Sequence, residues 1–137
     1  MENKKILVVD DDAGILKELK EMLELSGYEP LCVNDSREAL AIALDANPDL
    51  ILIDLKMPGI NGFQLADKLS QNGFLKNIPV IAMSGYFIED RQEMLINSCG
   101  IDYFLKKPFD SFDVITTIET ALAGTVREDV PIGKKRK

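Results

Sequence analysis

Four apolar runs in this 137-residue chain end on residues that can do chemistry. The run ILVV is closed by Asp10, Asp11 and Asp12, and the run LILI by Asp54. Ser84 follows VIAM, and Lys107 follows YFLK. An ionised carboxylate at the end of a strand buried on both faces costs several kcal/mol unless a cation or a set of donors compensates it. Carboxylates brought within about 4 Å of one another repel by roughly 4 kcal/mol per pair at an effective dielectric near 20, so a cluster of them calls for a cation. All-oxygen ligands suit Mg²⁺, which takes one or two carboxylates, keeps several waters and completes its octahedron with phosphate oxygens. That chemistry is phosphoryl transfer. An aspartate can attack phosphorus and become an aspartyl phosphate, while a lysine ammonium and a hydroxyl donor neutralise charge on the equatorial oxygens. Asp54, Lys107 and Ser84 are the parts available for it.

Such a site requires elements that bring distant residues to one edge. Short β-rich runs alternate with helical periods, the pattern of a parallel sheet covered on both faces. Strands are expected at Ile6–Val9, Pro30–Val33, Leu50–Ile53, Val80–Met83 and Tyr103–Leu105. Ile15, Leu19, Met22 and Leu23 recur at helical spacing before a Gly27 stop, and Asp35 caps a second helix with Glu38 three positions on, ended by Pro48. Further helices are expected from about Gly62 to Ser70, from about Glu89 to Ser98, and from Asp110 through Val114, Ile118 and Leu122. The fold class is thus α/β, a (βα)5 doubly wound parallel sheet. Open sheets of this kind bind ligands beyond the carboxyl ends of their strands, where Asp10–Asp12, Asp54, Ser84 and Lys107 all fall. Strand 2 ends in Asn34 and Asp35, which capping explains, and this fits the order 2-1-3-4-5.

Composition sets outer limits. A 46% hydrophobic chain of this length suits one domain with one core. The formal net charge of -7 argues against a general nucleic-acid surface, which draws on clustered Lys and Arg. No apolar run approaches the roughly 20 residues needed to span a bilayer, so a cytoplasmic address without membrane contact is expected. Cys32 and Cys99 lack CxxC spacing and read as two buried structural thiols. The domain is expected over residues 1–123, with 124–137, ending GKKRK, as a basic tail or linker.

The motifs ILVVDDD (6–12), LILIDLKMPGING (50–62), IPVIAMSGY (78–86) and DYFLKKPF (102–109), in this order and spacing, resemble the receiver domain of bacterial two-component response regulators, the CheY-like family with a flavodoxin-like fold. The resemblance implies that Asp54 is the phosphoacceptor. It implies that Mg²⁺ is held by Asp11 directly, by Asp10 through water, by Asp54, and by the backbone carbonyl of Lys56. Lys107 would contact a phosphoryl oxygen, and the bond before Pro108 is commonly cis in this family. Ser84 would supply the switch hydroxyl, beside Gly85, which leaves room for the phosphoryl group. Phe104 stands at the switch-aromatic position where Tyr is frequent, and Ser84 stands where Thr is frequent. Asp12, left over, is expected to cap the first helix. Lys56 and Tyr86 would flank the water that hydrolyses the aspartyl phosphate.

The expected function is therefore a phosphorylation-dependent signalling switch in a phosphorelay, an enzyme only toward its own phosphorylation and dephosphorylation. The chain contains no His, so the phosphohistidine donor, a histidine kinase or phosphotransfer protein, must act in trans. Output is expected through the face formed by the fourth helix, fifth strand and fifth helix. An alternative is a haloacid-dehalogenase-like phosphatase using Asp10 and Asp12, with Ser84 and Lys107 as later motifs. It leaves Asp54 unexplained, Gly14 stands where Thr or Val is usual, and no late Gly-Asp-x-x-x-Asp follows the last strand. Nucleotide binding finds neither GxxxxGK[ST] nor GxGxxG. A receiver that is never phosphorylated predicts the loss of a site residue, and none is lost.

Overall fold

A computed structural model of the chain describes residues 3–85 and 99–124. Five parallel strands, β1 (Lys5–Val9), β2 (Glu29–Val33), β3 (Leu50–Asp54), β4 (Val80–Ser84) and β5 (Tyr103–Lys106), form one sheet in the order β2-β1-β3-β4-β5. Each strand is at least one residue longer than its sequence pattern, because backbone pairing extends past the apolar residues that mark it. The reversal of strand order between β1 and β3 opens a crevice at their carboxyl ends.

Four helices are described: α1 (Ala13–Leu25), α2 (Ser36–Ala46), α3 (Gly62–Gln71) and α4 (Ser111–Leu122), the last being the fifth helix expected from sequence. The expected helix near Glu89–Ser98, Tyr86, and residues 125–137 lie outside the described residues. Alternation along the strands divides the core in two. Ile6, Val8, Leu50, Leu52, Ile81 and Met83 pack with α1 and α4, whereas Leu7, Val9, Ile51, Ile53, Val80 and Ala82 pack with α2 and α3.

Helix starts follow the capping residues. Asp12 accepts the N–H groups of Gly14 and Ile15 at 2.8 and 3.2 Å to begin α1, and the chain leaves it through Gly27 at φ +89°. Asp35 begins α2 as expected, accepting the Arg37 N–H and pairing with the Arg37 guanidinium at 2.9 Å. The reciprocal side-chain capping box forms at α3, where Asn61 accepts from the Gln64 N–H at 2.9 Å and Gln64 accepts from the Asn61 N–H at 3.0 Å. The expectation of two buried cysteines is corrected for one of them. Cys99 is buried, but Cys32 is exposed, because β2 is an edge strand and only Val33 within it is fully covered.

Candidate functional site

The strand pairing explains why the acids meet. Val9 on β1 stands beside Ile53 on β3, so the next residues, Asp10 and Asp54, stand side by side where the sheet ends. Asp10 is almost wholly buried, and Asp54 is 6% exposed. Asp11 is exposed at the mouth, and carboxylate oxygens of all three lie within 4.8 Å of one another. Asp12 turns away to cap α1. The crevice is an open cleft of about 810 Å³ lined by these three carboxylates and by Asp12, with Lys56, Gly85 and Lys107 among its walls.

Lys107 reaches this cluster from the far side of the sheet. Its Nζ donates to Asp10 Oδ2 at 2.8 Å and to Asp54 Oδ1 at 3.1 Å, while Asp10 Oδ1 accepts the Asp12 N–H at 3.0 Å. The Lys107 N–H donates to the Ser84 carbonyl at 2.8 Å, tying the end of β4 to the lysine, and the Lys107–Pro108 peptide is cis. Burial, together with the charge of Asp10, pushes the Asp54 carboxyl up to about 6, against the opposing pull of Lys107. Asp10 and Asp54 act the other way on Lys107, holding its ammonium above the ordinary lysine value despite burial. The one ammonium thus stands between two buried carboxylates, a charge deficit that a further cation would meet.

The remaining sequence-derived residues are arranged around this centre. Ser84 is buried at the end of β4, and Gly85 beside it meets Lys107, whose Cβ would lie 3.6 Å from an added methyl. Lys56 is exposed on the turn after Asp54. Phe104 is half-buried against the core of the α2 and α3 face, and Tyr103 is buried on the opposite one, as strand alternation requires. The donor set of three carboxylates fits a hard, oxygen-liganded cation. Asp12, which a phosphatase would need as its acid, has Oδ1 committed to two helix N–H groups.

Over residues 6–119 the sequence matches the family profile described as the response regulator receiver domain. The chain belongs to the response regulator receiver domain family. It is 34% identical over 125 residues to the phosphate regulon transcriptional regulatory protein PhoB of Pseudomonas aeruginosa, covering 91% of this chain and 54% of that one. The chain thus spans about half the length of that relative. The polar-differentiation response regulator DivK of Brucella anthropi is 31% identical over 119 residues, 87% of this chain and 96% of its own. Among solved structures, a CheY-like receiver domain protein from Methanospirillum hungatei superposes with a TM-score of 0.84 at 29% identity, covering 90% of this chain and 96% of the other. The chemotaxis protein CheY4 of Vibrio cholerae gives 0.81 at 28% identity over 85% and 97%. The flavodoxin-like fold is that of these receivers, and phosphorylation on aspartate with Mg²⁺ binding is typical of the family. Among the described residues no helix of this receiver is long and apolar enough to cross a membrane.

One contribution escaped the sequence reading. The first turn of α3 rests directly on the backbone of Asp54 and Leu55, at Gly62. The only sign of it was a glycine, a poor helix former, standing immediately after the helix-capping Asn61.

Proposed function

We propose that this receiver accepts a phosphoryl group on Asp54 from a phosphohistidine of a histidine kinase or phosphotransfer protein, and that the modification switches its surface. The observation that carries this reading is the pairing of a buried Asp54 with Asp10, Asp11 and the bridging Lys107. A carboxylate oxygen of Asp54 forms the new P–O bond as the P–N bond to the donor imidazole breaks, its electron pair staying with the imidazole. Asp10, Asp11, Asp54 and the Lys56 carbonyl are the groups that would hold Mg²⁺, which supplies charge neutralisation for the acids and the incoming oxygens. Lys107 stays within reach of Asp54 to pair with a phosphoryl oxygen, and Gly85 leaves the space beside it open.

Ser84 then supplies the switch. A phosphoryl group on Asp54 brings about two negative charges and new acceptor oxygens to the end of β3. The Ser84 hydroxyl moves to bond it, Gly85 follows, and the half-buried Phe104 ring takes a more buried rotamer. The output surface is the face that includes β5 and α4. Lys56, exposed on the turn after Asp54, stands beside the path of the hydrolytic water, and because it cannot accept from that water the aspartyl phosphate is long-lived.

The test is to incubate the chain with acetyl phosphate and Mg²⁺ and map the modified residue. Labelling at Asp54 that vanishes in Asp54→Asn and on chelation of the metal is the expected result. Labelling at Asp10 would favour a phosphatase instead.

A further inference from the structure

We propose that Gly62 is a positioning residue for the phosphoacceptor, holding the Asp54–Leu55 peptide in place by the close approach of the α3 backbone. The inference rests on Asp54 being phosphorylated. Glycine is not needed at position 62 for its conformational freedom, since the glycines with φ in the left-handed region are 27, 59, 100 and 124. It is needed for space. A Cβ at Gly62 would fall on the Asp54 carbonyl oxygen, 2.6 Å from Leu55 Cα and 3.0 Å from the Asp54 carbonyl carbon, and all three are backbone atoms.

The helix has little freedom to yield to such a methyl. The Gly62 N–H donates to the Leu55 carbonyl at 3.1 Å, and the Asn61–Gln64 box secures the residues on either side. Leu65, Ala66 and Leu69 are buried in the core beneath. On the strand side, the Leu55 N–H donates to the Met83 carbonyl at 2.9 Å, which extends the β3–β4 ladder past Asp54. The peptide that follows the phosphoacceptor is thus held between β4 and the first turn of α3. An added methyl has to displace this peptide, and the side chain that must align for in-line attack moves with it.

Gly100 provides a matched comparison at the other end of the same helix. A Cβ there would meet the Ser70 Cβ at 2.7 Å, at a φ of +87°, so alanine is also strained, but against α3's last turns and not against Asp54. The rate of Asp54 labelling by acetyl phosphate at saturating Mg²⁺ is measured for the wild type, Gly62→Ala and Gly100→Ala, each at the same interval below its own unfolding midpoint. Misplacing a reacting group by about 1 Å can cost on the order of a hundredfold, so a loss of about tenfold or more is expected for Gly62→Ala, with Gly100→Ala within about twofold of wild type. A Gly62→Ala rate within twofold of wild type, or equal losses in both variants, would overturn the inference. Should Gly62→Ala not fold, the Asn61→Ala/Gln64→Ala pair, which loosens the same helix start, decides: a slower rate supports the positioning role and an unchanged one overturns it. A wild type that takes no label at Asp54 would strike at the phosphorylation reading itself.

Discussion

The electrostatic character of the site rests on Asp10, Asp11, Asp54 and Lys107. Asp54 has a carboxyl raised from 3.8 to about 6, so the folded state binds its proton more tightly than the unfolded state does. The sign follows from linkage: below about pH 4 both states are protonated and nothing is lost, stability falls as the pH rises toward 6, and above that the full penalty applies. That elevation corresponds to at most about 3 kcal/mol. Asp54→Asn is therefore expected to stabilise the metal-free protein by about 1–3 kcal/mol at pH 7 and by almost nothing near pH 3.5, measured by denaturant unfolding across that range. Lys107 has the opposite effect. Its ammonium is raised above 10.5, chiefly by the pair with Asp10, so the stability it contributes is present at neutral pH and lost only as the pH rises through that elevated value. Lys107→Met leaves two buried carboxylates uncompensated and is expected to cost about 3 kcal/mol at pH 7, less at pH 5 where Asp54 is protonated.

Within the secondary elements, carboxylates at the two ends of the sheet do different work. At the amino edge, Asp49 accepts the Lys5 N–H at 2.7 Å and Asp102 accepts the Val80 N–H at 3.0 Å, so each satisfies the backbone entering a strand. At the carboxyl edge the strands present carbonyls instead, and Asp10, Asp11 and Asp54 are left facing a crevice. Asp49→Ala is expected to cost about 1–2 kcal/mol of stability, with the rate of acetyl phosphate labelling unchanged; a slowed rate would mean that the amino edge also shapes the site. α3 joins the two kinds of work, since its capping box stabilises the helix and also holds its first turn against Asp54. Asn61→Ala alone is expected to lose about 1 kcal/mol in the same unfolding assay.

For the whole molecule, the switching proposed above requires that a bond made at the end of β3 be felt on the face that includes β5 and α4. The path available runs through Ser84, whose carbonyl accepts the Lys107 N–H at 2.8 Å and whose strand pairs Ala82 with Phe104. Ala82 is small, and Phe104 opposite it is only half-buried, so the ring has a neighbour that leaves it room to repack. A modification biases such an equilibrium only through interactions that differ between its two states, here the bonds to Ser84 and Lys107. Ser84→Ala is expected to bind beryllofluoride at Asp54 yet to show amide shifts at Tyr103, Phe104 and Leu105 reduced at least about threefold from wild type. Shifts of equal size in the variant would remove Ser84 from the path.

The alternation of apolar strands with helical periods made the sheet legible, because a strand buried on both faces must be written as a continuous apolar run. Asp54, Lys107 and the acids after β1 were equally legible, since a charged residue ending such a run conflicts with its burial and the conflict points to function. Other features had no such mark. Asn61 and Gln64 are ordinary polar residues until a helix starts between them, and Cys32 lies in an apolar run whose exposure depends on β2 being an edge. That Lys107 bridges Asp10 and Asp54 across 97 and 53 residues of chain, and that α3 meets the Asp54 backbone at Gly62, were decided by tertiary structure alone. A sequence pattern reports what each residue prefers to be buried in, whereas a distance between residues far apart in the chain exists only once the sheet has closed in its particular order.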